Sequence, residues 1–278
     1  MSHRVHGLIR YSVGILKGSM RLRWIQLFLS GFLVASGVLA VSQPQGIDPS
    51  LLKKATDGNA QAQHEVGLLF HAGRGVPQDD SAAATWFKKA AEQGLAGAQL
   101  NLGLLYDGGD GVPQSYPQAA GWYRKAALQG LPEAQYNLGT LYERGDGVPQ
   151  DYTQAADLYR RAAEQGNASA QFNLGLLYDN GTGLERDYAQ AAAWYAKAAE
   201  QGLPRAQYNL ASMYAGGHGV PVNLAEAYFW MDLAANTWNG ARQQEAVQAR
   251  DLIAQRLTQT DLLNAQNRAA KWLADRHK

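Results

Sequence analysis

The chain of 278 residues balances 25 Lys and Arg against 24 Asp and Glu and contains no cysteine. Without cysteine there are no disulfides, thiol nucleophiles or thiolate metal ligands. Residues 1–40 hold five basic residues and no acidic one, which leaves 20 Lys and Arg against 24 Asp and Glu beyond them, a formal charge of −4. A weakly acidic body is a poor binder of polyanions, so nucleic acid is not an expected partner.

Trp24 to Val41 is an 18-residue stretch without charge, preceded by Arg21 and Arg23. A basic start, an apolar middle and small residues at the end are the layout of a secretory signal. Residues 1–40 are therefore read as a signal peptide cut after Ala40, with Ala40-Val41-Ser42 as a second cleavage site. Met20 offers a later start that gives the signal a conventional length. The alternative is an uncleaved anchor, since about 18 apolar residues just suffice to span a bilayer. The expected location is periplasmic or secreted, or else tethered to the inner membrane and facing the periplasm. Residues 41–58 read as a linker and a capping helix, the segment from Asp48 ending at Gly58.

Residues 59–238 are five copies of a 36-residue unit with no insertion. Ala-Gln recurs at Ala62-Gln63, Ala98-Gln99, Ala134-Gln135, Ala170-Gln171 and Ala206-Gln207. The same register carries an aromatic at Phe70, Tyr106, Tyr142, Tyr178 and Tyr214. A fixed period of this length marks a solenoid, in which each unit buries its apolar face against its neighbours. In the third unit, Pro132 opens a helix whose stripe is Ala134, Leu138, Leu141 and Tyr142. Gly139 beside that stripe is where another backbone is expected to approach closely. The helix ends in Gly145-Asp146-Gly147-Val148-Pro149, and Asp151 with Gln154 forms a capping box for the second helix. Ser115 with Gln118, Asp187 with Gln190 and Asn223 with Glu226 repeat that box. Ala155, Leu158, Tyr159, Ala162 and Ala163 form the second stripe, closed by Gly166 as a left-handed cap. Residues 239–278 lie off the period and read as a closing helical pair, the second helix capped by Thr258 and Asp261.

Ala134-Gln-Tyr-Asn-Leu-Gly139, Gly145-Asp-Gly-Val-Pro149 and Ala155-Ala-Asp-Leu-Tyr159 resemble the Sel1-like repeat, a relative of the tetratricopeptide repeat. The resemblance covers roughly residues 48–238. It implies an all-α, superhelical α/α solenoid of five helix-loop-helix repeats with helical caps. It also implies a scaffold or adaptor that binds a protein or peptide on its concave face.

Motifs for chemistry are missing. His64 and His71 have no carboxylate or second histidine four residues on. Asp107-Gly-Gly-Asp-Gly111 lacks the alternating oxygens and closing Glu of a calcium loop. There is no nucleophile elbow and no complete nucleotide-binding glycine pattern. No catalytic residue, metal site or cofactor is expected. The rival reading is an envelope enzyme or β-lactam-binding protein; the secreted relatives credited with that carry cysteine pairs in each repeat, which this chain lacks.

The candidate partner-binding groove is the flank that the first helix of each unit leaves uncovered. It holds Leu100, Asn101 and Leu104; Tyr136, Asn137 and Thr140; Phe172, Asn173 and Leu176; and Tyr208 and Asn209. Exposed aromatics beside adaptable polar groups suit recognition. The alternative is that the aromatics pack against adjacent units. For the Asn ladder, one reading is bonding to the main chain of an extended ligand, and the other is bonding to the protein's own loops.

Overall fold

The computed structural model describes residues 46–276. Among these the chain forms thirteen α-helices and no strand. The candidate signal or anchor at residues 24–41 lies outside the described residues. Among the described residues, no helix is long and apolar enough to cross a membrane.

α1 (Pro49–Thr56) stands alone and is capped by Asp48, whose side chain accepts from the amide of Ser50. Five helical pairs follow: α2 (Ala60–Ala72) with α3 (Asp80–Glu92), α4 (Ala96–Gly108) with α5 (Tyr116–Leu128), α6 (Pro132–Arg144) with α7 (Tyr152–Glu164), α8 (Ala168–Asn180) with α9 (Tyr188–Glu200), and α10 (Pro204–Gly216) with α11 (Leu224–Thr237). Each helix packs on the next, within a pair and between pairs. α12 (Gly240–Ala254) and α13 (Gln259–Arg276) both pack on α11 and close the stack. Thr258 caps α13 by accepting from the amide of Asp261, as its sequence implies.

The second helices bury alanine on two sides, and among them one aromatic per unit is fully covered: Phe87, Tyr123, Tyr159 and Tyr195. Each ring lies on the glycine of its partner helix. A Cβ at Gly139 would stand 2.9 Å from the Tyr159 ring, and one at Gly103 would stand 2.6 Å from Tyr123. The backbone approach expected at Gly139 is not what the glycine serves: the Tyr159 side chain is the nearest neighbour there. In the fifth unit Ala211 replaces the glycine and Met231 replaces the ring; a flexible thioether tolerates the extra methyl.

The loops are closed by the backbone. The N-cap amide of Asp151 donates to the carbonyl of Tyr142 at 2.9 Å, and Ser115, Asp187 and Asn223 repeat the bond. Asp151, Asp187 and Asn223 cap their helices through their side chains. Ser115 does not. Pro117, the second residue of that helix, has no amide N–H, so the helix start has one donor fewer to satisfy.

A ladder of glutamines stitches the repeats. The Ala-Gln glutamines are buried, and each Nε2 donates to a carbonyl at the end of the preceding second helix: Gln63 to Ala55, Gln99 to Ala91, Gln135 to Ala127, Gln171 to Ala163 and Gln207 to Ala199. Helix ends leave carbonyls unpaired, and these side chains satisfy them. A second series donates to the amide oxygen of the first: Gln93 to Gln63, Gln129 to Gln99, Gln165 to Gln135 and Gln201 to Gln171.

Candidate partner-binding face

On each 13-residue first helix, four positions escape the flanking second helices. In the third unit they are Tyr136, Asn137, Thr140 and Glu143, which are all half-buried. The second unit places Leu100, Asn101, Leu104 and Asp107 there, and Leu104 is 43% exposed. The fourth places Phe172, Asn173, Leu176 and Asp179, and the fifth Tyr208, Asn209 and Ser212. The helical period brings the eleven sequence-picked residues to one side of four consecutive pairs.

Their exposure differs from a simple outward row. Phe172 is only 5% exposed; its ring lies 5.7 Å from that of Tyr195, with the Arg205 guanidinium 5.0 Å above it. It therefore serves packing between units. Tyr136 leans on Tyr159 at 5.8 Å and Tyr208 on Trp238 at 5.5 Å, while both keep part of their surface in solvent. Asn101 donates from Nδ2 to Nε2 of His64 at 2.9 Å, and Asn173 bonds the Tyr159 hydroxyl. Those two amides are held by side chains of the preceding unit, not by loops. Asn137 and Asn209 are half-buried on the same face.

Sequence reasoning missed the polar floor of this face. The buried rings of the second helices send their hydroxyls through to it. Tyr123 donates to Asp107 at 3.0 Å, Tyr159 to Glu143 at 2.5 Å and Tyr195 to Asp179 at 3.2 Å. Thr140 Oγ1 stands 3.2 Å from the Tyr159 hydroxyl. Burial first, and the neighbouring carboxylate second, push the hydroxyls of Tyr123 and Tyr159 well above the ordinary tyrosine range. They stay protonated donors at neutral pH. A signal was available in the sequence. Tyrosine stands at this position only where an acid ends the first helix; Phe87 accompanies His71, and Met231 accompanies Ala215.

Asp107, Glu143 and Asp179 make no ion pair among the described residues. The face combines acceptor oxygens with apolar and aromatic patches, which is chemistry for holding a polypeptide. His64 has its pKa lowered by burial and is therefore neutral beside Phe87. Among the described residues no group of three or more His, Cys, Asp or Glu could hold a metal ion.

A Sel1 repeat profile matches residues 60–95, 96–131, 132–167, 168–203 and 204–236. The structure is similar to that of a protective antigen present in uropathogenic Escherichia coli strains displaying an SLR fold. The identity is 36% and the TM-score 0.70, over 80% of this chain and 48% of the antigen. The chain thus spans about half the length of that relative. A Sel1 repeat protein from Oxalobacter formigenes is 38% identical, with a TM-score of 0.66, over 70% of this chain and 81% of the other. No curated protein matches the chain. Proteins of this repeat class generally mediate protein–protein interaction, and they are typically not enzymes. With five tandem matches and two solved relatives on the same helical pairs, the chain belongs to the Sel1 repeat family.

Proposed function

We propose that this protein is a cell-envelope scaffold that holds a segment of a partner protein along the first-helix face. The carrying observation is the continuity of that face across four units, with Leu104, Tyr136, Thr140 and Tyr208 partly open to solvent beside Asp107, Glu143 and Asp179. Apolar anchors bring affinity, and the acceptor oxygens fix the register of a bound chain. The envelope setting rests on the basic and apolar layout of residues 1–40.

Capture from envelope extract tests the reading, with the wild type compared against a Leu104→Glu/Tyr136→Ala double variant. Both positions lie on the face and outside the fully buried core. Partners retained by the wild type and lost by a folded double variant support the proposal. Equal capture by the two overturns it. N-terminal sequencing of exported protein tests the setting, with Val41 as the expected first residue.

A further inference from the structure

The opposite side of the stack, formed by the second helices, carries its own periodic row. Trp86, Trp122, Trp194 and Trp230 occupy equivalent positions. In three of those units a lysine lies over the ring: Lys89 at 4.2 Å, Lys125 at 3.9 Å and Lys197 at 3.9 Å. The third unit departs from the row, placing Leu158 at the tryptophan position and Arg161 at the lysine position. Arg161 turns to Asp157 at 2.7 Å.

One unit earlier a second departure occurs. The position held by Glu92, Glu164 and Glu200 is Leu128, which is 78% exposed. In the first unit that glutamate pairs with Lys88 at 3.9 Å. Leu128 offers Arg124 no such partner. Arg124 donates to the hydroxyl of Tyr142 at 3.0 Å, as Arg160 does to that of Tyr178, and makes no ion pair among the described residues.

The two departures meet. Arg124, Leu128, Leu138, Tyr142, Leu158 and the Asp157–Arg161 ion pair line one open cavity of about 290 Å³, which leaves the Arg124 guanidinium as its unpaired charge. That is at the small end of ligand sites, which run from roughly 300 to 1,000 Å³, and suits one ring better than a larger molecule. In the first, second and fourth units an indole under a lysine packs against the core of the preceding helices at the corresponding place. Here the indole is replaced by a smaller side chain, and the glutamate that would screen the rim is replaced by leucine.

We propose that this cavity receives an aromatic side chain from an acidic segment of a partner protein. The ring lies where the other units place their own tryptophan, and a neighbouring carboxylate meets Arg124. Aromatic anchors seated in pockets dominate many interfaces, and a guanidinium beside the pocket adds a charge-assisted bond. This docking point is separate from the first-helix face and does not depend on it.

The test is titration of the isotope-labelled protein with acetyl-Gly-Asp-Trp-Asp-Gly-amide, followed by amide chemical shifts. Shifts are expected to concentrate around Arg124, Leu128 and Leu158, with a Kd of about 1 mM or below. Replacing the peptide's tryptophan with alanine, or its aspartates with lysines, should weaken binding at least about tenfold. Leu158→Trp fills the cavity from within and should weaken it equally. Leu128→Glu restores the residue of the other units at an exposed position, leaves the core untouched, and should do the same. Binding unchanged in folded Leu128→Glu, unchanged by loss of the peptide's ring, or mapping elsewhere on the protein overturns the proposal. The Leu104→Glu/Tyr136→Ala variant should titrate like the wild type, which separates failure here from failure of the first-helix face.

Discussion

Gln207 exposes how much each rung of the glutamine ladder depends on the next. Its Nε2 reaches Ala199, but its buried Oε1 has no hydrogen-bond partner. In the four preceding units that oxygen accepts from a second glutamine at 2.7 to 2.9 Å. The corresponding residue of the fifth unit is Thr237, too short to cross, whose hydroxyl turns back to Leu233. Thr237→Gln should complete the ladder and stabilise the protein by about 1 kcal/mol, the usual net gain from satisfying a buried acceptor. Thr237→Glu supplies only acceptors at neutral pH and should give no gain. Thermal or denaturant unfolding of the two variants checks the pair; equal effects of Gln and Glu would refute the orphan-acceptor account. The sequence displayed both glutamine series at a period of 36, yet the first served only to mark the repeat. That one series bonds the other is a contact across 30 residues, visible only once helices are stacked.

At the scale of the element, helix boundaries were legible because they rest on local chemistry: glycine after the helix, aspartate or asparagine before it, proline in the first turn. Asp151, Asp187 and Asn223 cap with their side chains as expected, but the return bond of a capping box is replaced, since their amides donate to carbonyls of the preceding first helix. The face of each first helix was legible from its period. The burial of Phe172 was not, because it depends on Arg205 and Tyr195 from other helices. The tyrosine hydroxyls left only an indirect trace, an acid ending the first helix wherever the position is tyrosine, since a fully buried ring does not announce where its tip emerges. Their burial, and after it the neighbouring carboxylates, has a consequence at alkaline pH. The folded-state pKa values of Tyr123 and Tyr159 are raised above the unfolded value of about 10, so the native state holds these protons more tightly. The associated stability is fully present below about pH 10 and is lost as pH rises beyond it. A Tyr123→Phe/Tyr159→Phe variant should therefore lose less stability between pH 9 and 11 (values set around that threshold of about 10) than the wild type. Parallel pH–stability curves would show that the pairs contribute nothing.

For the whole molecule, the governing fact is that each helix packs only on its near neighbours, so stability is approximately a sum of unit and interface contributions. The ends are where that sum has no next term. At the C-terminal end the chain supplies a substitute with other chemistry: Ala246, Ile253, Ala265 and Ala269 join the core of the last pair. Arg276 donates to the carbonyl of Glu200 at 2.6 Å, and its guanidinium lies 4.2 Å over Trp272. Gln266 reaches the hydroxyl of Tyr228, and Arg268 pairs with Glu226 at 2.7 Å. A stop after Asn239 removes all of these and leaves Phe229, Trp230 and Met231 without their outer cover. The expected result is local. Hydrogen-exchange protection should fall in α10 and α11, partly in α9, and stay unchanged in α2 to α6, because the cap packs chiefly on α11 and reaches the end of α9 through Arg276. The shortened protein should also self-associate through the uncovered apolar side of its last pair. Uniform loss of protection from α2 to α11 would mean that the pairs fold as one cooperative block, and the neighbour-by-neighbour account of this solenoid would then fail.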